Sequence, residues 1–141
     1  MATHERSVNS IASPEQLWAL WADPERWPDW NPDVSAMKLD GPFAQGVTGL
    51  MTSGGGHAHR VKFTEVNPGR SFVLETSPVP ATRFRFECRV DQAAGGARVT
   101  QSVSMSGLLA PIMGPMAGEK IAEGFLPILR SLAAHAEGRP A

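Results

Sequence analysis

The sequence predicts an α+β fold, in which a curved antiparallel sheet of about seven strands wraps around a long C-terminal helix and two short helices close one end. Three observations support this prediction. Two helix-start signals follow an N-terminal strand, the region 34–106 reads as strands between turn sequences, and after Gly107 the apolar residues recur at helical spacing. The element order is therefore strand, two helices, six strands and a helix. A sheet with one apolar face needs a cover, which only the last helix is long enough to provide.

The first two elements are a strand and a short helix. Residues 4–11 read as a strand, although their alternation is imperfect. Ser13 then begins a helix, because its hydroxyl can cap the free backbone N–H groups and Pro14 fits the first helical position. Gln16, three residues after the cap, can bond back to the backbone of Ser13 and complete a capping box. The apolar face of this helix is formed by Leu17, Leu20 and Trp21.

A second short helix is predicted to follow at once. Asp23-Pro24 repeats the cap-and-proline signal, so this helix is expected to begin near Pro24 and to contain Trp27. Pro28 and the Asn31-Pro32 pair are expected to close it, because proline and its preceding residue disfavour helix. All the Trp residues of the chain lie in this stretch, where they are expected to pack the helices and close one end of the fold. They are Trp18, Trp21, Trp27 and Trp30.

Six more strands are predicted between turn sequences rich in Gly, Pro, Asn and Asp. They cover residues 34–40, 46–53, 57–66, 70–77, 82–92 and 97–106. The clearest alternation lies in 82–92, where apolar residues are separated by charged ones, as in a strand with one buried face. These apolar residues are Phe84, Phe86, Cys88 and Val90. Short connections favour consecutive antiparallel hairpins over crossover units.

The C-terminal helix is predicted from an apolar stripe at helical spacing. The stripe consists of Ile121, Phe125, Ile128, Leu129 and Leu132. The helix is expected to start near Gly114-Pro115, since a residue before proline avoids the helical conformation. Pro127 is expected to kink it, because proline has no N–H to donate to the carbonyl of Glu123.

Composition and charge argue against several classes of protein. The 141 residues carry 13 Lys and Arg against 14 Asp and Glu, a net charge of −1, which gives no electrostatic footprint for nucleic acid. The single cysteine, Cys88, cannot form an internal disulfide. The polar N-terminus predicts no signal peptide, and no apolar run approaches the roughly 20 residues of a membrane span. We therefore expect a cytoplasmic monomer or homodimer with no nucleic-acid partner, no membrane span and no cofactor.

Several segments resemble a known superfamily. They are IASPEQLW at 11–18, DPERWPDW at 23–30, GPF at 41–43 with Gly46, and EVNPGR at 65–70. In these segments and in the order of its elements, the chain resembles the SRPBCC superfamily (START-like, Bet v 1-like, helix-grip), most closely its bacterial polyketide cyclase/dehydrase and lipid transport branch. The resemblance implies one START-like domain over residues 1–141 and a cavity between the sheet and the last helix. It also implies that the Trp-bearing segment closes one end of that cavity.

A cavity of this kind needs apolar walls and a few polar groups that orient the ligand. Gln101 interrupts the apolar face of its strand, so it either bonds to a neighbouring strand or orients a polar group of the ligand. Strand parity, helical spacing and the resemblance together give the expected lining. The expected ligand-contacting residues are Trp27, Trp30, Met51, Phe63, Phe72, Leu74, Phe84, Phe86, Gln101, Met105, Met113, Ile121 and Phe125.

His57 and His59 are the candidates for proton transfer, with Gln101 as the candidate to hold a carbonyl or enolate oxygen. The two His share one face of a predicted strand, and neutral His acts as general acid or base near neutral pH. They equally fit an exposed strand end beside the glycines at 54–56. No metal site is predicted, because local spacing places no third ligand. The sequence contains no Tyr, which removes one common proton donor and favours binding over catalysis.

Three functions are compatible with the sequence. The preferred one is binding of a small hydrophobic molecule, whether aromatic, polyketide-like or lipid. The first alternative is a polyketide aromatase/cyclase-dehydratase that uses a pocket His as general base. The second alternative is a chaperone- or stress-related protein-interaction module. A filled cavity and an exposed apolar patch between Leu108 and Met116 would favour that last function.

Overall fold

The computed structural model describes residues 3–79 and 81–138, apart from the side chains at positions 78, 79 and 113–115. The predicted order of strand, two helices, six strands and C-terminal helix is confirmed. In chain order the elements are β1 (Thr3–Ser10), α1 (Pro14–Trp21), a 3-10 helix (Pro24–Asp29), β2 (Val34–Leu39), β3 (Thr48–Ser53), β4 (Ala58–Asn67), β5 (Ser71–Val79), β6 (Thr82–Ala93), β7 (Gly96–Gly107), α2 (Ala110–Glu123) and α3 (Phe125–Ala136).

The strands form one antiparallel sheet in the order β1-β7-β6-β5-β4-β3-β2. Strands β2 to β7 are consecutive hairpins, as the short connections predict, while β1 pairs with β7 at the far edge. The pairing register shifts between β2 and β3, between β4 and β5, and between β5 and β6. Bulges of this kind bend a strand and increase its twist. They therefore help to curve the sheet around the C-terminal helices.

Helix α1 begins with the predicted capping box. The N–H of Gln16 donates to the Ser13 hydroxyl at 3.1 Å, and the N–H of Ser13 donates to the Gln16 side-chain oxygen at 2.8 Å. The helix turns Leu17 and Trp21 into the core, where both are almost fully buried. The cap fixes where the helix starts, and its apolar residues fix which face packs against the sheet.

The second short helix is a 3-10 helix, and two details of its prediction are wrong. Pro28, which was expected to close the helix, lies inside it, because the fixed φ of proline is compatible with a 3-10 turn and the helix ends only at Asp29. Pro24 occupies its first turn, as expected, but the Asp23 side chain makes no capping hydrogen bond within the described residues. A hydrogen bond from Trp27, inside the helix, holds this segment in place of the missing cap. The Trp27 indole N–H donates to the carbonyl of Trp21 at 3.2 Å, which ties the 3-10 helix to the end of α1.

The C-terminal helix is interrupted, with Gly124 between α2 and α3. The interruption follows Glu123. In a continuous helix Pro127 would have no N–H to donate to the Glu123 carbonyl, and its ring would clash with that carbonyl. The predicted kink is therefore present, and its break lies on the N-terminal side of the proline. The predicted start at Gly114-Pro115 is wrong, because α2 begins at Ala110 with Pro111 in its first turn. A proline there costs no hydrogen bond, since the N–H groups of the first turn have no partner within the helix.

An aromatic cluster joins the short helices to the sheet. Trp21 and Trp27 lie 5.5 and 5.6 Å from Phe72 of β5 by ring centroid, and Trp27 lies 5.9 Å from Phe63 of β4. Phe43, in the β2–β3 connection, lies 5.0 Å from Phe63. The Trp27–Phe72 pair is tilted and the other three are edge-to-face, and aromatic pairs at these distances add to the hydrophobic stabilisation. The Trp residues therefore pack the helices against the sheet, as predicted.

Helix α2 is attached to the edge strand β1 through one carboxylate. His4 Nδ1 lies 3.1 Å from Glu119, and the Arg6 guanidinium donates to the other oxygen of the same carboxylate. Gly118 allows this approach, because a Cβ at that position would lie 2.3 Å from the His4 ring. The hydrogen bonds from Arg6 and then from His4 lower the pKa of Glu119.

The described helices include none long and apolar enough to cross a membrane.

Candidate ligand-binding cavity

A partly open cavity of about 350 Å³ lies between the concave face of the sheet and the C-terminal helices. This volume is at the lower end of the roughly 300–1,000 Å³ of small-molecule sites. Its lining is mostly apolar and aromatic. The lining residues are Trp21, Trp27, Trp30, Asn31, Asp33, Val34, Met51, Ser53, His59, Phe72, Leu74, Thr76, Phe84, Phe86, Cys88, Gln101, Ile121, Phe125 and Ile128.

Strand parity builds the sheet side of the cavity. Alternate residues of one strand share a face, and paired residues of neighbouring strands lie side by side on it. Thus Gln101, Cys88 and Phe72 form one row of partners across β7, β6 and β5. Two residues further along, Phe86 pairs with Leu74. The same face therefore contributes several successive rows to the cavity wall.

The helices build the opposite wall. Ile121 comes from α2, and Phe125 and Ile128 come from α3. Phe125 lies 6.2 Å from Phe86 by ring centroid, which brings the α2–α3 break close to the middle of the sheet. The interrupted helix therefore covers the sheet without filling the space beneath it.

Cys88 forms part of the apolar wall. Burial, with a smaller contribution from the Glu87 charge, raises the pKa of the Cys88 thiol far above its ordinary value. The side chain is therefore a neutral thiol at physiological pH, and a thiol is a poor nucleophile compared with its thiolate. It packs as a small hydrophobic group, as the parity of β6 predicts.

Three polar side chains on the sheet wall differ in their hydrogen bonding. The Thr76 hydroxyl donates to the carbonyl of Arg60 at 2.9 Å, so its proton is already used. Gln101 and His59 are half-buried, and neither side chain has a hydrogen-bond partner in the part of the chain that the structure describes. Both groups are free to bond to a ligand.

Trp27 and Trp30 are equally buried but unequally bonded. The Trp27 indole N–H donates to Trp21, whereas the Trp30 indole N–H is buried with no acceptor among the described residues. The backbone carbonyl of Trp30 does have a partner, the hydroxyl of Ser131 in α3. Buried donors without an acceptor are rare in folded proteins.

The structure brings most of the predicted site residues together around this cavity. Those present in the lining are Trp27, Trp30, Met51, His59, Phe72, Leu74, Phe84, Phe86, Gln101, Ile121 and Phe125.

Four predicted residues are not placed in the lining. His57 is exposed and lies just before β4, beside Gly56. Phe63 is fully buried under Trp27 and Phe43. Met105 is buried on β7, where it pairs with the lining residue Phe84, but it is not itself part of the lining. The side chain of Met113 lies outside the described residues.

Sequence reasoning missed the polar rim of the cavity. Asn31 and Asp33 follow the 3-10 helix, in a loop with no periodicity to reveal its direction. A backbone hydrogen bond of 3.0 Å from Gly54 to the carbonyl of Asp33 holds that loop against the end of β3, next to Ser53. The position of Ile128 in the lining could have been predicted, because this residue belongs to the apolar stripe of the last helix.

Within the described residues, no group of three or more His, Cys, Asp and Glu side chains is arranged to hold a metal ion.

Comparison with known proteins gives matches in sequence and in structure. The sequence model of the family described as "Polyketide cyclase / dehydrase and lipid transport" matches residues 1–137. An uncharacterised protein of Mycobacterium tuberculosis is 27% identical over 103 residues, which cover 70% of this chain and 62% of that protein. The chain thus spans less than two thirds of the length of the curated relatives that it matches.

Solved structures share the fold at low sequence identity. A START superfamily protein from Mycobacterium smegmatis superposes with a TM-score of 0.75 at 14% identity, covering 96% of this chain and 97% of that one. The di-domain ARO/CYC StfQ from the steffimycin biosynthetic pathway gives a TM-score of 0.76 at 16% identity, covering 96% of this chain and 51% of that one. At these identities the likeness extends to the fold alone.

Proposed function

Because the chain belongs to the polyketide cyclase/dehydrase and lipid transport family, with the START-like helix-grip fold, we propose that it binds a small, largely apolar molecule in the cavity between the sheet and the C-terminal helices. The observation that carries this proposal is the cavity of about 350 Å³ itself, which side chains leave unfilled. Apolar walls with a few polar groups are typical of sites for small organic ligands. Aromatic or polyketide-like molecules and short lipids fit this description.

The energetics favour a ligand that also makes polar contacts. Burial of on the order of 200 Å² of apolar ligand surface contributes about 5 kcal/mol before the loss of translational and rotational freedom is counted. That loss amounts to about 4 kcal/mol or more. A purely apolar ligand therefore binds weakly, and a tight ligand uses the polar groups of the wall as well.

Filling the cavity tests the proposal. The probe is trans-4-hydroxystilbene, which has an apolar body and one polar group, and its binding is measured by quenching of Trp fluorescence and by a rise in the unfolding midpoint. Cys88→Phe and the smaller Cys88→Met place extra volume in the cavity and are expected to weaken or abolish binding. Glu87→Met, on the opposite face of the same strand, is the matched control and is expected to bind like the wild type. Absence of binding to the wild type, or equal binding by the filled variants, would overturn the proposal.

Cyclisation of a poly-β-keto chain is the second candidate function. The observation that favours it is the half-buried His59 ring, which lines the cavity without a partner among the described residues. In such a reaction a base removes a proton from the carbon between two carbonyls, and the enolate carbon attacks another ketone. The alkoxide then takes up the proton, and loss of water gives the cyclised enone. His59 fits the base, and Gln101 fits a donor to the carbonyl oxygen.

The two His allow a matched test of catalysis. His59→Gln removes the cavity base, whereas His57→Gln removes an exposed ring outside the cavity. Turnover of a synthetic oligo-β-ketone by the wild type and His57→Gln, with a loss of about 10²-fold or more in His59→Gln, is the result expected of a general base. Equal turnover by both variants would remove His59 from the mechanism.

The protein-interaction hypothesis required an exposed apolar patch and a filled cavity. The patch is present, since Leu108, Ile112 and Met116 are 74%, 80% and 84% exposed. The cavity, however, is open. Ligand binding therefore accounts for more of the geometry than a role as an interaction module.

A further inference from the structure

We propose that the ligand is a neutral, elongated molecule with an apolar body and a hydrogen-bonding group at each end, one for Gln101 and one for His59. This inference rests on the proposed function and specifies the chemical class of the ligand.

The strand register separates the two polar groups. Gln101 on β7 pairs with Cys88, which in turn pairs with Phe72. His59 on β4 pairs instead with Met51 on β3, two residues beyond Val61. Three interstrand steps of about 4.8 Å each lie between β7 and β4, in addition to an offset along the strands. One small polar group therefore does not reach both side chains.

The surface between these two groups is apolar. Two rows of partners separate the row of Gln101 from that of His59: Phe86 with Leu74, and Phe84 with Thr76. The Thr76 hydroxyl donates to the backbone of Arg60, so the row that contains it does not require a donor or acceptor from the ligand. The middle of the cavity thus fits a hydrocarbon or aromatic body.

The Gln101 end has one polar side chain in an apolar setting. Its neighbours on the same face of β7, Val99 and Val103, are fully buried. An amide that is partly removed from water and has no protein partner is satisfied by a ligand group or by water. Because the amide has both donors and an acceptor, it accommodates a hydroxyl or a carbonyl.

The His59 end is polar over a wider area and lies at the rim. Ser53, Asn31 and Asp33 belong to the same lining, and the Asp33 side chain is exposed. A hydroxyl on the ligand can donate to or accept from these groups, whereas an anionic group meets the Asp33 carboxylate. Among the described residues that line the cavity, none is Lys or Arg. A carboxylate on the ligand would therefore enter without a cation to pair with it, which is costly.

A series of matched probes tests both ends. The probes are trans-stilbene, its monophenol with one para hydroxyl, its diphenol with a para hydroxyl on each ring, and the analogue with one para carboxylate. Affinities are measured by titration calorimetry. Each hydroxyl that finds a partner is expected to tighten binding about three- to tenfold. The carboxylate is expected to bind more weakly than the monophenol.

Variants assign each gain to an end of the cavity. Gln101→Met keeps the length of the side chain and removes the amide, so the diphenol is expected to bind it no tighter than the monophenol, with stilbene affinity preserved. His59→Phe is expected to remove the other gain, and the double variant both. Arg98→Met, on the outer face of β7, is the control and should behave as wild type.

The outcomes distinguish a failure of the two-ended ligand from a failure of ligand binding in the cavity. If stilbene binds but the diphenol gains nothing over the monophenol, or the gain persists in both variants, the two-ended ligand is wrong and cavity binding stands. If the carboxylate binds more tightly than the monophenol, the ligand is not neutral. If none of the probes binds, both the proposed function and this inference are overturned.

Discussion

Trp27 and Trp30 are each 5% exposed, yet their indole N–H groups are in different situations. The Trp27 group donates to the carbonyl of Trp21, and the Trp30 group has no acceptor in the described part of the chain. The loss of a hydrogen bond costs most when it leaves a buried donor or acceptor without a partner. The two residues therefore provide a matched pair in which packing is similar and hydrogen bonding differs.

Replacement of each Trp by Phe is expected to separate these effects. Both substitutions remove ring area, but only Trp27→Phe leaves the Trp21 carbonyl without its donor. We expect Trp27→Phe to lower the free energy of unfolding by about 1–2 kcal/mol more than Trp30→Phe does. Urea denaturation followed by circular dichroism measures both values. A larger loss in Trp30→Phe would show that the Trp27 hydrogen bond is not what distinguishes the two indoles.

Single residues of the cavity were predictable where a period exists. Phe84, Phe86 and Cys88 could be assigned to one face because strand side chains alternate. Asn31 and Asp33 could not, since a loop has no period and its path depends on a distant backbone contact with Gly54. Phe63 has the predicted inward parity but is covered by Trp27 and Phe43. Parity gives the face of a residue, and tertiary packing decides whether that face meets a cavity.

At the scale of elements, local chemistry predicted most starts and ends. The Ser13 capping box fixes α1, because both of its hydrogen bonds are local. The extent of α2 was not predictable in the same way. Pro115 is disfavoured inside a helix, yet α2 continues through it from Ala110. Packing of α2 against β1 and β7 outweighs that local preference, which a single sequence does not reveal.

The attachment of α2 to β1 predicts a dependence of stability on pH. Hydrogen bonds from Arg6 and His4 lower the pKa of Glu119 in the folded protein. A carboxyl whose folded pKa lies below its unfolded value of about 4.3 stabilises the fold above that unfolded value. The contribution is lost as the pH falls through the folded pKa. We therefore expect Glu119→Gln to unfold at a lower temperature than the wild type at neutral pH, and the difference to vanish in acid.

Thermal unfolding between pH 7 and pH 2.5 measures this difference. Glu123→Gln, an exposed carboxyl on the same helix with no ion pair to a described residue, is the control and should show little difference at any pH. A difference between Glu119→Gln and the wild type that does not change with pH would show that the carboxylate charge is not what holds α2.

At the scale of the whole molecule, the cavity follows from two features acting together. The register shifts help to curve the sheet, and the break at Gly124 lets α2 and α3 cover its concave face as two segments. Each feature had a signal in the sequence, in Pro127 for the break and in the short alternating strands for the sheet. The cavity volume could not be predicted from the sequence, because that volume depends on small details of how the side chains of the sheet and the helices pack against one another.

The free Gln101 amide predicts a conflict between stability and binding. In the unliganded protein this amide is partly removed from water and has no partner among the described residues. Gln101→Met replaces it with an apolar group of similar length that suits its neighbours Val99 and Val103. We expect the variant to be more stable than the wild type by about 0.5–1 kcal/mol while it loses affinity for a two-ended ligand. Urea denaturation of the unliganded proteins gives the first quantity, with the slope against urea checking that both unfold alike. If Gln101→Met is instead less stable, the amide stabilises the unliganded fold and is not free to bond to a ligand.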